Sequence, residues 1–227
     1  MSKSESKLIN MKKFITIAGN IGAGKSSLVY MLSQRLGWKP FFEPVSNNPY
    51  LADFYKDMAT WGFHSQIFFL SHRLRVYREL ADCRSSVILD RSLYEDAEIF
   101  ARNLYTKGIM NQRDYETYEA LYHSLISFLP TPDLMIYLRA STNTLVGRIK
   151  KRGRDFEQTI KSDYLAQLNQ AYEVWISSFS LCPVLTIPTD NLDFVSMPNH
   201  MNLILRKVKK KIAGKEEVVF LPEEYST

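Results

Sequence analysis

The sequence predicts an α/β fold in which five parallel strands form one sheet flanked by helices. Short apolar runs rich in β-branched residues alternate along the chain with longer segments whose apolar residues recur at helical spacing. This alternation favours a parallel sheet, because successive parallel strands need a crossover helix. No internal repeat or linker divides the chain, so we predict one domain over residues 12–214. Residues 1–11 are predicted to be a disordered tail and residues 215–227 a C-terminal tail.

Five segments are predicted as strands. The first reads FITIA and precedes a glycine-rich turn. Because proline cannot donate to a sheet, Pro40 indicates that pairing of the second strand begins after it. The predicted strands cover residues 14–18, 38–45, 86–89, 134–138 and 184–187.

The intervening segments are predicted as helices from their apolar spacing and end signals. Gly37, for example, ends the helix that follows the glycine-rich turn. The predicted helices cover residues 26–36, 50–60, 62–82, 93–105, 114–129, 142–151, 164–179 and about 199–213. One of them carries an apolar stripe at helical spacing, formed by Tyr164, Leu168, Tyr172, Trp175 and Phe179.

Composition places the chain among globular proteins. Of its 227 residues 45% are hydrophobic and 23% charged, and no apolar run approaches the roughly 18 residues of a membrane span. Two cysteines form neither a disulfide framework nor a zinc site, and the opening residues lack the apolar core of a secretory signal. These features favour a cytoplasmic protein without a membrane partner. The net charge of +5 suits an anionic ligand, while the basic run 206–211 is interpreted as a solvated helix face, not a nucleic-acid site.

A phosphate-binding motif follows the first strand. Residues 19–26 read GNIGAGKS and match G-x-x-x-x-G-K-[ST] between a strand and a helix. The glycines let backbone N–H groups approach phosphate oxygens, Lys25 is placed to reach the β and γ phosphates, and Ser26 to bind Mg²⁺. The motif therefore predicts that ATP or GTP binds with Mg²⁺. The residues predicted to hold the nucleotide are Gly19, Asn20, Ile21, Gly22, Ala23, Gly24, Lys25, Ser26 and Ser27. The N-K-x-D motif of GTPases that reads guanine is absent, so we expect phosphoryl transfer to a small acceptor.

Two predicted strand ends carry acceptor chemistry, because ligands bind beyond the carboxyl ends of parallel strands. Glu43 ends the second strand and is a candidate to accept the proton of an attacking hydroxyl. A surface glutamate is the alternative. Asp90 and Arg91 follow the third strand, where Asp90 would bind Mg²⁺ with Ser26 and Arg91 would offset charge on the transferring phosphoryl. A buried ion pair at the strand end is the alternative for both.

A basic run follows the helix predicted over 142–151. It contains five cations within seven residues: Arg148, Lys150, Lys151, Arg152 and Arg154. Cations are favourable at a helix C-terminus, which is the simpler interpretation. We predict instead a short lid over about 148–157, which closes on the triphosphate and excludes water.

A candidate base-binding face lies on the helix predicted over 62–82. Gln66 and Arg73 are seven residues apart and project from nearly one side. Both can hydrogen-bond to a purine edge. On the following helix Asp96 and Phe100 form an i, i+4 pair, in which Asp96 could hold Arg73 and Phe100 could stack on a ring. Ordinary core and surface roles are the alternative.

Together these segments resemble the deoxynucleoside kinase family, most of all the bacterial deoxyadenosine and deoxyguanosine kinases. The resemblance covers residues from about 13 to 190. It is carried by six motifs in order: GNIGAGKSS, EPV with NNPYLADFYKD, HSQIFFLSHR, DRSLYEDAEIFA, DLMIYLRAS and RIKKRGRDFE. The resemblance implies a P-loop kinase fold, a homodimer and, in many members, inhibition by the end-product triphosphate.

The resemblance also implies roles for residues at matching positions. Glu43 resembles the general base for the 5′-hydroxyl, and Arg91 the arginine at the 5′ end and the transferring phosphate. Tyr55 and Glu157 resemble the pair that binds the sugar 3′-hydroxyl. Asp90 departs from the glutamate of animal members, which shortens the reach to Mg²⁺.

The base-binding residues follow the same resemblance. Gln66 resembles the glutamine that reads the base and Phe100 its stacking partner. Arg73 and Asp96 resemble the pair of members that accept purines and deoxycytidine. Asn48 stands where animal members carry an aromatic residue. The lid arginines of the family are matched by Arg148, Arg152 and Arg154.

We therefore expect an ATP-dependent deoxynucleoside 5′-kinase of nucleotide salvage. Its expected acceptor is a purine deoxynucleoside, deoxyadenosine first and deoxyguanosine or deoxycytidine next. One alternative is a nucleoside-monophosphate kinase such as thymidylate kinase; the carboxylates of Glu95, Asp96 and Glu98 argue against it, since they would repel a monophosphate. The other alternative is a P-loop switch that binds nucleotide without catalysis.

Overall fold

The sheet of this protein is fully parallel. The computed structural model describes residues 12–43, 47–215 and 218–225, so the predicted tail 1–11 lies outside the described residues. Within them, five strands pair in the order β2-β3-β1-β4-β5. The strands are β1 (Phe14–Gly19), β2 (Lys39–Phe41), β3 (Val87–Asp90), β4 (Leu134–Arg139) and β5 (Val184–Pro188). The predicted α/β fold with a five-stranded parallel sheet is confirmed.

Helices connect and flank the strands. They are α1 (Lys25–Leu36), α2 (Leu51–Lys56), α3 (Met58–Asp82), α4 (Leu93–Glu95), α5 (Arg102–Thr106), α6 (Gln112–Ile126), α7 (Thr142–Arg152), α8 (Ser162–Ser178) and α9 (Pro198–Ile212). A π-helical segment, Asp96–Ala101, joins α4 to α5, and 3₁₀ turns cover Asp155–Glu157 and Pro222–Glu224. In the described part of the chain, no helix combines the length and apolarity that crossing a membrane requires.

Apolar packing on the sheet explains the continuous hydrophobicity of the central strands. Every residue of β1 is buried, as expected for a parallel strand covered on both faces. One apolar cluster joins β1, β4 and β5 to α1, α7, α8 and α9. A second joins β2 and β3 to α3, α6 and the π-helical segment. A third, smaller cluster holds α2 against α5. The carboxyl ends of β1 and β3 open between these clusters, where the site lies.

The second strand differs from its prediction. Pro40 pairs with Ile88, so the prediction that pairing begins after Pro40 is wrong. Lys39 N donates to Ser86 O at 3.0 Å, and the alternation of a strand then turns the Pro40 nitrogen to the open edge. Because β2 is an edge strand, proline costs it no sheet hydrogen bond. The strand ends at Phe41, two residues before Glu43, and the predicted end at Val45 lies outside the described residues.

The break between α2 and α3 also differs from its prediction. It lies at Asp57, whose carboxylate accepts from Thr60 N at 3.2 Å and begins the 25-residue helix α3. Gly62, predicted to start that helix, lies inside it. A β-carbon on Gly62 would be 3.3 Å from Leu104 Cδ1, so the glycine permits close packing of α3 on α5.

Part of the predicted C-terminal tail packs on the domain. Residues 218–225 place Val218, Phe220 and Tyr225 against the main apolar cluster. Lys207 Nζ on α9 forms an ion pair of 2.6 Å with Glu224 Oε1. This segment therefore extends the packed structure beyond α9.

Candidate active site

The phosphate-binding loop connects β1 to α1, and its shape depends on glycines with positive φ. Gly22 and Gly24 have φ values of +84° and +100°, which side chains with a β-carbon rarely adopt. A β-carbon on Gly22 would also lie 3.0 Å from Leu145 O. The Asn20 side chain fastens the loop to α8, since its Nδ2 donates to Leu165 O at 2.9 Å. The backbone of the loop is left to contact phosphate.

Lys25 spans the mouth of this loop. Its Nζ donates to Gly19 O at 2.7 Å and to Asn20 O at 3.0 Å. Burial, followed by repulsion from Arg91, lowers the pKa of Lys25 to about 8. The ammonium is thus held where the motif expects phosphate, and phosphate would exchange for these two carbonyl oxygens.

Ser26 and Asp90, which the sequence predicts to bind Mg²⁺, contact one another. Ser26 Oγ donates to Asp90 Oδ2 at 2.5 Å, and Asp90 Oδ1 is buried without a hydrogen-bond partner. Burial raises the pKa of Asp90. Within the described residues, no three His, Cys, Asp or Glu side chains cluster as a metal cage. Two hard oxygen ligands fit Mg²⁺, which commonly takes one or two protein ligands and completes its shell with phosphate and water.

Glu43 lies between two arginines beside the loop. Its Oε1 is 2.7 Å from Arg91 Nε and 3.6 Å from Arg73 Nη2. Burial opposes its charge, but Arg91, Arg73 and Lys25 outweigh burial and hold the pKa of Glu43 below its usual value. Glu43 is therefore ionised at neutral pH and able to accept a proton.

Arg91 adopts a strained backbone at the end of β3. Its φ is +66°, in the left-handed region that residues with a β-carbon avoid. Arg91 N donates to Ile17 O at 3.0 Å, and Arg91 O accepts from Arg73 Nη1 at 2.8 Å. The Arg91 guanidinium lies 4.3 Å over the Phe100 ring. These contacts fix a conformation that places a cation beside Glu43 and Lys25.

One cavity of about 320 Å³ joins the loop to the acceptor residues. From the loop it is lined by Ile21, Gly22, Gly24, Lys25, Ser26 and Ser27. From the predicted acceptor residues and lid it is lined by Glu43, Tyr55, Gln66, Arg91, Asp96, Phe100, Arg152, Arg154 and Glu157. Residues from seven separate segments of the chain thus meet at a single site.

Arg73 and Asp96, which the sequence predicts to read the base, form an ion pair in which Arg73 lies one layer behind the cavity wall. Arg73 Nε donates to Asp96 Oδ2 at 3.1 Å, and its Nη1 donates to Asp90 O at 3.1 Å. Burial raises the pKa of Asp96 to about 6, against the opposing charge of Arg73. Asp96 and Gln66 face the cavity, while Arg73 supports Asp96 and the end of β3.

Tyr55 and Glu157, the predicted sugar pair, contact residues of the predicted lid. Glu157 is buried and accepts from Arg152 Nη2 at 2.5 Å and from Arg154 Nη1 at 3.1 Å. The Tyr55 ring stacks on Phe156, with 6.2 Å between centroids. Two of the three predicted lid arginines therefore reach the cavity.

Arg148 is not brought to the cavity wall. It lies one turn before the end of α7, where Nη1 donates to Ala23 O at 3.1 Å and Nη2 to Thr189 O at 2.6 Å. It braces the back of the phosphate loop, while Arg152 and Arg154 extend from the helix end. A basic run does not reveal this division, because each residue points in a different direction around the helix.

The sequence missed two polar residues and a third lining residue. Glu95 is fully buried and accepts from Gly19 N at 3.1 Å and Ser92 N at 2.9 Å. Tyr172 lies on the predicted apolar stripe of α8, and its hydroxyl hydrogen-bonds to Gly19 O of the same loop. Tyr164 of that stripe lines the cavity. The tyrosine hydroxyls on this otherwise apolar stripe were the sequence signal that could have indicated a role at the site.

The prediction that Glu95 and Glu98 help to repel a monophosphate is wrong. Glu95 turns to the interior, and Glu98 forms an ion pair of 2.7 Å with Arg102 away from the cavity. Of the three carboxylates expected to repel a monophosphate, only Asp96 faces the acceptor. Asn48 also lies off the cavity wall, where its Nδ2 donates to Ser65 Oγ at 3.1 Å.

A phosphate loop, an ionised carboxylate and an arginine around one cavity define a P-loop kinase acting on a small acceptor. The chain belongs to the deoxynucleoside kinase family: the sequence model for deoxynucleoside kinase matches residues 15–213. The predicted family and the predicted P-loop kinase fold are thereby confirmed, and the enzyme is an ATP-dependent deoxynucleoside kinase.

Curated and structural relatives agree with this assignment. The chain is 37% identical to "Deoxyadenosine/deoxycytidine kinase" of Bacillus subtilis over 206 residues, covering 90% of this chain and 95% of that one. It is 37% identical to "Deoxyguanosine kinase" of the same organism over 209 residues, covering 90% and 100%. A solved deoxyadenosine kinase from M. mycoides with bound dATP superposes with a TM-score of 0.76 at 34% identity, covering 87% and 99%.

Proposed function

We propose that this kinase transfers the γ-phosphoryl of ATP to the 5′-hydroxyl of a purine deoxynucleoside. Deoxyadenosine is the first choice, with deoxyguanosine or deoxycytidine next. The observation that carries this proposal is the single cavity shared by the phosphate loop and by Glu43, Gln66 and Asp96. The names of the relatives, which include deoxyadenosine, deoxycytidine and deoxyguanosine kinases, support the same acceptors.

The proposed chemistry follows from the charged residues that line the cavity. Glu43 accepts the proton of the 5′-hydroxyl as that oxygen attacks the γ-phosphorus, and the bond to the β-phosphate oxygen breaks to release ADP. Lys25 and Arg91 hold the transferring phosphoryl and offset its negative charge in a water-poor site. Ser26 and Asp90 would hold Mg²⁺, which supplies further positive charge at the phosphates. Arg152 and Arg154 close the site above the triphosphate.

We expect the acceptor to be selected by the residues that line the cavity across from the phosphate loop. Gln66 and Asp96 present an amide and a carboxylate to the base, and Phe100 offers an aromatic face. Tyr55 and Glu157 hold the 3′-hydroxyl, and the Tyr55 ring crowds the 2′ position. A deoxynucleoside fits this wall better than a ribonucleoside.

The alternative acceptor, a nucleoside monophosphate, has less support. The acceptor end of the cavity presents the ionised carboxylate of Glu43, with Asp96 further along the wall. A monophosphate placed there would meet the like charge of these carboxylates. A neutral hydroxyl meets no such repulsion.

A panel of acceptors tests the proposal directly. Nucleosides, deoxynucleosides and monophosphates are each supplied with ATP and Mg²⁺, and ADP release is measured. We expect deoxyadenosine to give the highest kcat/KM. Faster turnover of thymidine or of a monophosphate would contradict it. Repeating the assay with GTP identifies the preferred phosphoryl donor. Omitting Mg²⁺ tests whether turnover requires the metal ion.

The remaining expectations concern the whole protein. We propose a cytoplasmic homodimer inhibited by the triphosphate of its own product. Sedimentation of the purified protein measures its oligomeric state. Titration of dATP into the kinase assay measures the inhibition, and cell fractionation measures location.

A further inference from the structure

The buried hydroxyl of Tyr172, on α8, connects the phosphate loop to the acceptor side. It lies 2.9 Å from Gly19 O and 2.8 Å from Glu95 Oε1, and it accepts from Arg91 Nη1 at 3.2 Å. The Tyr172 side chain has no exposed surface, so solvent does not compete for these contacts. The sequence predicted Tyr172 only as a member of an apolar stripe.

This hydroxyl has one proton and two acceptors within reach. Gly19 O already accepts from Lys25 Nζ at 2.7 Å. The carboxylate of Glu95 is the stronger acceptor, because an ionised partner strengthens a hydrogen bond. While Lys25 contacts the loop, the Tyr172 hydroxyl therefore donates its hydrogen bond to Glu95.

Nucleotide binding changes this balance. The phosphates would draw Lys25 away from Gly19 O, which would then lack a donor in a buried site. An unpaired buried carbonyl is costly. Rotation of the Tyr172 hydroxyl from Glu95 to Gly19 O supplies the missing donor without moving the ring.

Glu95 keeps partners after that rotation. Gly19 N still donates to its Oε1 at 3.1 Å, and Arg91 Nη1 lies 3.7 Å from the same oxygen. The other carboxylate oxygen accepts from Ser92 N at 2.9 Å. The exchange therefore leaves both oxygens of Glu95 and the Gly19 carbonyl with partners.

We propose that Tyr172 is a positioning residue for phosphoryl transfer. Its hydroxyl orients Arg91 and replaces Lys25 at the Gly19 carbonyl when Lys25 turns to the nucleotide. This inference rests on the proposed function, which places Lys25 and Arg91 at the transferring phosphoryl. Tyr172 touches neither substrate and acts through these two cations.

The test compares Tyr172→Phe with a matched control, Tyr137→Phe. The Tyr137 ring stacks on Tyr172 with 5.6 Å between centroids, but its hydroxyl bonds to Glu173 at 3.0 Å, away from the phosphate loop. We expect Tyr172→Phe to lower kcat about 10-fold or more, with KM for deoxyadenosine unchanged. Calorimetric titration with Mg–ATP should show affinity weakened by a similar factor. Tyr137→Phe should match the wild type in both.

A double-mutant cycle with Arg91→Lys separates positioning from general support. If Tyr172 acts through Arg91, its effect on kcat shrinks in the Arg91→Lys background. Full additivity, or wild-type kcat and ATP affinity with only a lowered Tm, would overturn the inference. If the wild type phosphorylates no deoxynucleoside, the proposed function fails; the titrations still decide whether Tyr172 supports nucleotide binding.

Discussion

The two sides of the cavity are built in different ways. The phosphate side consists of consecutive residues that contact one another, such as Lys25 with Gly19 O, and that distant side chains such as Arg148 brace from outside. The acceptor side takes single side chains from α2, α3, the end of β3, the π-helical segment and the turn after α7. A contiguous loop carries its functional groups within eight successive residues. The acceptor side depends on the register of segments far apart in the chain.

The two sides also differ in how charge is balanced. Lys25 is held by neutral carbonyl oxygens, which phosphate can replace at little electrostatic cost. On the acceptor side Glu43 and Asp96 are paired with Arg73 and Arg91 in a buried network. A change on the phosphate side should therefore remove one function, whereas a change on the acceptor side should also disturb its neighbours.

The largest expected effect is on the phosphate side. Lys25→Ala should lower kcat by about 10³-fold or more, because the ammonium offsets phosphate charge in a water-poor site. Lys209→Ala, at an exposed lysine of α9, is the matched control and should keep wild-type turnover. ADP release measures both. Retained activity in Lys25→Ala would contradict the assignment of the loop.

On the acceptor side, Glu43→Gln tests the proton acceptor. We expect kcat to fall by roughly 10²-fold, with deoxyadenosine binding largely kept, because the amide retains the shape but cannot take the proton. Glu98→Gln, at a glutamate paired with Arg102 away from the cavity, is the control. Near wild-type kcat in Glu43→Gln would move the role to Asp90.

The base-reading pair tests whether the acceptor network selects the base. Arg73→Met with Asp96→Ala should lower kcat/KM for deoxyadenosine by about 10²-fold and raise that for thymidine, since an apolar slot replaces a charged one. Because Arg73 also bonds to Asp90 O, the single variant Asp96→Ala is the control that keeps this support. An unchanged ratio of the two substrates in the double variant would remove the main support for a purine acceptor.

The pH profile separates the two sides in one experiment. Burial raises the pKa of Asp96 to about 6, so protonation below that pH should break its pair with Arg73 and lower kcat/KM for deoxyadenosine. Burial lowers the pKa of Lys25 to about 8, so deprotonation above that pH should lower kcat/KM for ATP. We expect the acid limb to disappear in Asp96→Ala and the alkaline limb to remain. Loss of both limbs together would mean that the two sides titrate as one group.

The smallest expected effect concerns the sugar. The wild type should favour deoxyadenosine over adenosine in kcat/KM, and Tyr55→Phe should raise KM for deoxyadenosine by about 10-fold through loss of one hydrogen bond. Removing the 3′-hydroxyl from the substrate should cost less in this variant than in the wild type, since only the contact with Glu157 is then lost. Equal efficiency of the wild type with adenosine would contradict the deoxy preference.

The sequence alone was sufficient where a signal was local. The strands other than β2, the loop at 19–26 and the Ser26–Asp90 proximity follow from apolar runs, a contiguous motif and the common edge of parallel strands. Prediction from the sequence failed where two local signals favoured different structures. Gly62 suggested a helix start, but the Asp57 cap determines it, and Pro40 suggested an unpaired residue, although an edge strand tolerates proline.

The sequence by itself determined the fold class, the phosphate loop and which residue types could form an acceptor site. These depend on periodicity and on spacing within a few residues, which short-range sterics and backbone hydrogen bonds fix. Only the tertiary structure decided that Arg73 stands behind Asp96, that Arg148 braces the loop, and that Tyr172 joins Gly19 to Arg91. Those outcomes depend on which way a side chain points once distant segments pack, and packing is a property of the whole chain.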